Sequence, residues 1–376
     1  MVNGMGGMGV KKRQVKQIIW WVVFLFFLAA SVLLQAAARC ADGFADWYAE
    51  QIYPVLVETV GQFFGLFPFS VGEVLLYIGI IVLVVVTIEN LGKILVTRKN
   101  KRRHLYFCIQ VWIMTAVILF FVYTIQCGIN YFHTPFSVRA GYEVRPSEYT
   151  ELEALCRYLT EEINTAAEEL EQPENEHYKM PENVHDLVRD AMGNLGEEYE
   201  FLSGFYPAPK PIAISGLFSY QYITGIYSPF TIEANYNQEM PELEQPAIMC
   251  HELSHLKGFM REDEANFIAY LACHRSGVPE LQYSGAMFAY TYCMNALYND
   301  GGVELYSEIY GQLCKRALAD RQYMNQWWKQ YDTPMREVSD QVNNTYLQAN
   351  AQADGTKSYG RMVDLMLAEF RSMKAE

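Results

Sequence analysis

The chain has 376 residues, of which 51% are hydrophobic, and a formal net charge of −14 at pH 7. This length and composition allow a membrane region together with one sizeable further domain. The acidic balance argues against nucleic acid as a partner, because phosphate binding requires a basic surface.

The first apolar segment, at about 18–37, is the earliest structural signal in the chain. Its N-terminal flank carries four basic residues: Lys11, Lys12, Arg13 and Lys16. A signal peptide begins in a similar way, and 36–38 (Ala-Ala-Ala) could serve as its cleavage site. The segment's length of about 20 residues instead favours a retained membrane helix.

Two further apolar segments, at about 74–96 and 105–127, are also predicted to span a membrane. The loop between them, 98–103, holds five basic residues in six positions. Positive charge of this kind stays on the cytoplasmic side of the membrane. The acidic, aromatic-rich connector at 39–70 then lies outside and along the membrane interface.

Three spans place everything after about residue 128 on the outer side. We therefore expect a membrane region over 1–128 and an extracytoplasmic domain over 129–376, in a multi-pass cell-membrane protein whose partners include the lipid bilayer. The outer domain contains five of the eight cysteines, whose spacing fits no zinc knuckle and leaves any disulfide pairing open.

The outer domain is predicted to be mainly α with a small sheet. An extended linker at 129–147 precedes helices at about 148–171 and 182–195, where apolar residues recur at helical spacing. Closely spaced proline and glycine residues in 200–236 favour short strands, including 212–214 and 225–232. A further predicted helix has Pro246 in its first turn and ends before Gly258, and the remaining ones are at about 262–275, 280–298, 302–330, 333–350 and 357–373.

The motif that organises the chain is His251-Glu252-x-x-His255, an HExxH sequence. On a helix, the two imidazoles leave the same face one turn apart and can grip one Zn²⁺. Glu252 lies about 100° round the helix, beside the metal. There its carboxylate can take a proton from a water molecule and later give it to a leaving amine.

A catalytic zinc site needs a third protein ligand. Gly258 is a natural helix stop, and a second helix can begin at Glu262 in the sequence Glu262-x-x-Ala265-Asn266. Glu262 is the predicted third ligand, with Glu264 as the weaker alternative. Asn266, on the same face as Glu262, can hydrogen-bond the outer nitrogen of a ligating histidine. Acidic residues at a helix start also occur without any metal, because the helix dipole favours them.

These motifs resemble the gluzincin pattern of membrane metallopeptidases, in which HExxH is completed by a downstream ExxAD or ExxxD. The chain also resembles an uncharacterised family of bacterial membrane proteins with an HExxH domain, through Pro229–Asn235, Gly258–Phe267 and Asp354–Arg361. The resemblance covers most of the chain. It implies a zincin-like α+β domain and a zinc peptidase, and it supplies no substrate.

The sequence therefore predicts a membrane-anchored zinc metallopeptidase that hydrolyses protein or peptide substrates outside the membrane. The segment 225–236 is a candidate edge strand for binding substrate backbone, although an ordinary structural strand fits the same signals. Candidate oxyanion donors are Tyr283, Tyr290 and Tyr359, and the sequence does not choose among them. The competing hypothesis is a non-catalytic envelope protein with a structural or vestigial zinc site.

Overall fold

The structure is a computed structural model that describes residues 4–96, 100–173, 176–352, 355 and 361–375. Within these residues the chain is mainly helical and contains a small three-stranded sheet. The predicted fold class is confirmed at this level. We number the elements in chain order.

Three helices are long and apolar enough to span a membrane: α1 (Gly4–Cys40), α3 (Val71–Val96) and α4 (Lys101–Tyr123). The apolar stretch of α4 continues in helical turns as far as Phe132. The three agree with the predicted spans and indicate that the protein associates with a membrane. The Arg39 guanidinium lies 5.1 Å from the centre of the Phe132 ring, so the ends of α1 and α4 are adjacent. We call the span ends at Cys40, Val71 and Phe132 the domain-side ends.

The segment between the first two spans is not a simple connector. Residues 44–65 form a helix, α2, built from the short α-helices Phe44–Trp47, Tyr53–Leu56 and Gln62–Gly65 joined by two π turns. Pro54 lacks a backbone N–H and cannot continue a regular hydrogen-bond ladder, which explains the irregular turns. Tyr48, Tyr53 and Val57 are buried, so α2 belongs to the core of the following domain.

The expected extended linker at 129–147 is also only partly extended. A 3-10 turn (Asn130–Phe132) and a one-turn helix (Phe136–Arg139) occupy its first half, and Ile129 and Phe136 are fully buried. The Phe136 ring packs among other aromatic rings, including those of Phe259 and Phe267. Such long-range packing orders a segment that has no periodic pattern of its own.

Most of the predicted helices of the domain are present. They are α5 (Tyr149–Glu169), α6 (Val184–Glu198), α8 (Gln245–Leu256), α9 (Glu262–His274), α10 (Pro279–Tyr310), α11 (Lys315–Lys329), α12 (Pro334–Ala349) and α13 (Met362–Ala375). The break expected at 299–301 is a kink within α10 at Gly302, whose φ is 79°. The predicted start of the last helix, 357–360, lies outside the described residues.

The sheet has the strand order β1-β3-β2, with β1 (Lys210–Pro211) parallel to β3 (Glu233–Tyr236). The strand β2 (Gly225–Ser228) runs antiparallel to β3 and forms an edge of the sheet. The predicted strand at 225–232 is therefore shorter, and Pro229 lies in the turn after it.

The predicted strand at 212–214 is wrong. The Glu73 carboxylate accepts the backbone N–H groups of Ala213 and Ile214, at 3.0 and 3.2 Å, which diverts them from a strand ladder. The chain then enters a short unpredicted helix, α7 (Ser215–Tyr220).

The sheet is fixed to the domain-side end of the second span. The buried Glu233 carboxylate accepts the N–H groups of Val71 and Gly72, at 3.1 and 2.7 Å, and forms an ion pair with buried Lys210. Lys210 also donates to the carbonyl of Phe64 at 2.7 Å. Glu233 therefore caps the helix α3 from within the domain that follows the spans.

Replacing Glu233 by Gln leaves Lys210 buried without its counter-charge. Because breaking a buried ion pair typically costs about 3–5 kcal/mol, we expect a large loss of stability in detergent-solubilised protein, measured by chemical denaturation. Glu176→Gln, in the exposed pair with Lys179, is the control and should leave the denaturation midpoint unchanged. Equal effects of the two changes would contradict the assigned role of Glu233.

Candidate metal centre

The HExxH helix and the helix that follows it are joined by a tight turn. Pro246 lies in the first turn of α8, as predicted, and α8 ends at Leu256. Gly258 then adopts a φ of 100°, a left-handed conformation that favours glycine. Its N–H donates to the His255 carbonyl at 2.9 Å, and α9 begins at Glu262.

This turn brings two imidazoles and one carboxylate together. The candidate ligand atoms of His251, His255 and Glu262 all lie within 4.8 Å of one another. A Glu262 carboxylate oxygen is 3.3 Å from Nε2 of His251 and 3.6 Å from Nε2 of His255. Within the ranges that the structure describes, no other group of three His, Cys, Asp or Glu side chains is close enough to hold a metal.

The three side chains of this cluster shift one another's pKa values. Burial acts to lower the pKa of His255, but the Glu262 carboxylate outweighs it and raises that pKa to about 9. Burial and the neighbouring His255 lower the pKa of His251. Burial acts to raise the pKa of Glu262, but the two histidines hold it well below its usual range. A buried carboxylate facing two imidazole nitrogens is a donor set suited to a divalent metal.

One of the two candidate ligand histidines is oriented by a backbone contact. Nδ1 of His255 lies 2.8 Å from the Phe259 carbonyl and donates its hydrogen there, so that in the neutral imidazole the lone pair of Nε2 is directed toward the cluster. No sequence pattern predicts this contact, because any residue at 259 could supply the carbonyl.

Asn266 lies beside the other histidine, where its side chain acts to raise the pKa of His251. In the described part of the chain, however, neither Nδ1 of His251 nor Nδ2 of Asn266 has a hydrogen-bond partner, although both are buried. The predicted pair is therefore close in space without a formed hydrogen bond.

Glu252 lies next to the cluster and does not belong to it. It is 3% exposed, and burial raises the pKa of its carboxyl to about 8. Its Oε2 atom is buried and has no hydrogen-bond partner among the described residues. A Cβ atom at Gly225 would lie 2.4 Å from its Oε1 atom, so the glycine at the start of β2 makes room for this carboxylate. Gly225 is a site residue that the sequence analysis did not identify.

Glu264, the alternative ligand, is engaged elsewhere. Its Oε1 atom accepts the Phe136 N–H at 2.9 Å and contacts the Arg261 guanidinium at 3.3 Å. These contacts hold the turn before α9 against the end of the third span. The geometry therefore favours Glu262 over Glu264 as the third ligand.

Two of the three tyrosines suggested by sequence are engaged elsewhere, and the third, Tyr359, lies outside the described residues. Tyr283 donates to Asp320 at 2.9 Å, and the ring of Tyr290 packs on Arg321. A tyrosine that does lie near the cluster is Tyr292, beside Asn266. Burial raises the pKa of Tyr292, and the neighbouring Glu262 carboxylate raises it further. Among 27 tyrosines, no local pattern singles out this one.

A small cavity adjoins the cluster. Its volume is about 150 Å³, and its lining includes Thr224, Ile248, Met287, Phe288 and Tyr292. Thr224 precedes the glycine that touches Glu252, and Ile248 is one helical turn before Glu252. The cavity therefore opens beside the proposed acid–base group.

A larger depression of about 710 Å³ lies elsewhere, with Arg139, Tyr199 and Arg275 among its lining residues. No residue of the cluster lines either cavity, but Tyr292 of the smaller one lies beside Asn266. The wall of the larger depression is occupied by ion pairs such as Arg275 with Glu369. We therefore associate the smaller cavity with the cluster.

The cysteines are remote from the metal chemistry. All eight are free, and Cys250, although adjacent to His251 in sequence, faces Cys273 with 3.9 Å between the sulfur atoms. This orientation agrees with the expectation that Cys250 points away from the histidine face.

Comparison with known proteins gives one positive result. The family model described as "Protein of unknown function (DUF3810)" matches residues 48–367. No curated protein and no solved structure matches the chain.

The choice of third ligand can be tested by zinc titration against a chelator. We expect Asn266→Ala to weaken zinc binding by about 10- to 100-fold, the loss typical of a residue that supports a ligating histidine. Glu262→Gln removes a charged ligand and should weaken zinc binding by more than that. Glu264→Gln is the matched control, since it removes a neighbouring buried carboxylate. If Glu264→Gln lost zinc while Glu262→Gln kept it, the assignment would be reversed.

Proposed function

The chain belongs to the DUF3810 family, and from its site we propose that it is a membrane-anchored zinc metallopeptidase that hydrolyses peptide bonds. The observation that carries the proposal is the convergence of His251, His255 and Glu262 beside the buried carboxylate of Glu252. A structural metal site has no use for an unpaired carboxylate in that position.

The donor set fits zinc. Two imidazole nitrogens and one carboxylate oxygen form the ligand set of catalytic zinc sites, which keep a fourth position open. Zinc, when bound, would polarise the scissile carbonyl and lower the pKa of a water molecule at that open position. His251, His255 and Glu262 would hold it, with His255 oriented by the Phe259 carbonyl.

Glu252 is the proposed general base and then general acid. In its carboxylate form, its buried and unpartnered Oε2 atom can accept a proton from the attacking water and pass it to the leaving amine. Burial raises the pKa of Glu252 to about 8, and a zinc ion beside it would favour the charged form. The contact with Gly225 limits the positions that the carboxylate can take. A carboxylate held at one place is what proton transfer in a fixed geometry requires.

The Tyr292 hydroxyl, the strand β2 and the small cavity would bind the substrate. The Tyr292 hydroxyl is the proposed donor to the oxyanion that forms at the scissile carbonyl. The strand β2 presents a free sheet edge to an extended peptide, with Ile226 44% exposed on it. The cavity of about 150 Å³ has the size at which an apolar protein cavity accepts a benzene-sized group, so it could take one apolar substrate side chain.

We propose that this site faces the outside of the cell. The support is the basic loop between the second and third spans, which includes Lys101, Arg102 and Arg103 and lies at the opposite ends of those spans from the domain. By the positive-inside rule that loop is cytoplasmic, which puts the domain-side ends outside.

The competing hypothesis, a non-catalytic protein with a structural zinc, predicts that Glu252 is dispensable. We expect Glu252→Gln to keep zinc, because the side chain is not a ligand, and to lower turnover by roughly a hundredfold to ten-thousandfold. The measurement is proteolysis of unstructured peptides by zinc-loaded full-length protein in lipid nanodiscs, with metal content determined in parallel. Wild-type protein that holds zinc and cleaves nothing would contradict the proposal.

The role of Tyr292 has its own test. Tyr292→Phe removes one oxyanion donor, so kcat should fall by about 10²- to 10³-fold with zinc content unchanged. Tyr283→Phe is the matched control, because that hydroxyl is bonded to Asp320 away from the cluster. Equal kcat values for Tyr292→Phe and the wild type would remove Tyr292 from the mechanism.

A further inference from the structure

We infer that the proposed peptidase acts on membrane-anchored polypeptides and cuts them close to the point where they leave the bilayer. This inference rests on the proposed function and names its class of substrate. The proposed active site lies in a cleft between two walls, the helices α8 and α9 on one side and the edge strand β2 on the other. The inference follows from the attachment of both walls to the domain-side ends of the spans.

The first wall is formed by α8 and α9, which carry the proposed metal ligands, and it contacts the end of the third span. The turn at 257–261 contacts the end of that span through Gly258, whose carbonyl is 3.1 Å from Nε2 of His133. Arg261 donates to the carbonyls of Tyr131 and His133, at 3.4 and 3.3 Å. Glu262 directly follows Arg261 in the chain. One proposed metal ligand is therefore adjacent in sequence to a residue that contacts the end of a membrane helix.

The second wall is formed by the edge strand β2, and it contacts the end of the second span. The turn after β2 packs on Gly72, where an added Cβ would lie 2.6 Å from Ser228 Oγ and 2.9 Å from Thr231 Oγ1. Glu233 caps the same helix end. The end of the strand proposed to bind substrate therefore lies close to a membrane helix.

A buried hydrogen-bond network locks the two walls together. The Tyr53 hydroxyl donates to the Leu256 carbonyl at the end of the HExxH helix, at 3.1 Å, and lies 2.9 Å from the Tyr227 hydroxyl of β2. Tyr227 in turn donates to the carbonyl of Gln126 in the third span, at 3.1 Å. These contacts attach the site directly to the spans, so its height above the bilayer is fixed.

The helix α12 supports a position at the bilayer surface. Met335, Val338 and Val342 form an apolar stripe along it and are 46%, 61% and 67% exposed. Near its end, the Tyr346 and Tyr131 hydroxyls are 3.1 Å apart, which places α12 beside the domain-side end of the third span. Exposed apolar residues at helical spacing next to span ends are typical of a helix that lies in the membrane interface.

A site held next to the bilayer surface selects substrates by their distance from the membrane. A folded soluble protein reaches the cleft only if its surface contacts the lipid headgroups. A chain that emerges from the membrane is already close to the cleft, and tethering of this kind raises apparent affinity by about 10²- to 10⁴-fold through effective concentration. An extended chain rises about 3.5 Å per residue, so roughly ten residues are enough to pass a site one or two helix diameters above the bilayer.

The test uses zinc-loaded full-length protein in nanodiscs and one randomised peptide library in two forms. In one form the library follows a single transmembrane helix in the same disc, and in the other it is free in solution. We expect the anchored form to be cleaved about 10²- to 10⁴-fold faster, with sites mapped by mass spectrometry clustering within roughly ten residues of the anchor. Equal rates for both forms, or sites spread evenly along the anchored chain, would overturn the inference.

Failure of the underlying function has a different signature. If neither form is cleaved faster by the wild type than by Glu252→Gln, the peptidase proposal is wrong and this inference is wrong with it.

A second measurement does not depend on activity. A fluorophore is attached to Ile226→Cys in protein whose exposed Cys40 is replaced by Ser. Lipids that carry a quencher at the headgroup should quench this label. An unquenched label would show that the cleft is not at the bilayer surface.

Discussion

The turn around Gly258 is the constraint on which the rest of the site depends. It returns the chain within six residues, so that Glu262 faces the two histidines of the preceding helix. The turn is possible because Gly258 has a φ of 100° and packs tightly, with Tyr53 and Asn130 both 3.3 Å from where a Cβ would be. Those two neighbours belong to the membrane-proximal part of the chain, so one turn both completes the cluster and attaches it to the spans.

Because of this attachment, the structural domain does not begin where the composition of the chain indicates. By composition, the membrane region ends at about residue 128 and the outer domain begins there. In the structure, however, Tyr53 and Val57 of α2 lie in the same hydrophobic core as the HExxH helix. The buried hydroxyl of Tyr53 bridges the two walls of the cleft. The domain produced without the segment 44–65 would lack part of its own core, so the protein has to be tested as the full chain.

The sequence predicted the features that depend on local periodicity. Helical spacing located most of the helices, and the i, i+4 relation within HExxH placed His251 and His255 on one face. Local patterns did not locate α7 or the true extent of the strands, because the Glu73 carboxylate, 140 positions away in sequence, takes the N–H group of Ala213. Gly225 and Tyr292 were missed for the same reason, since each reaches the site through packing between distant elements.

The central claim is that His251, His255 and Glu262 hold one zinc ion. X-ray absorption spectroscopy of the zinc-loaded full-length protein tests it most directly. The account predicts nitrogen and oxygen neighbours at about 2.0–2.2 Å, with the outer-shell scattering of two imidazoles. A sulfur neighbour at about 2.3 Å, or a spectrum without imidazole scattering, would contradict it.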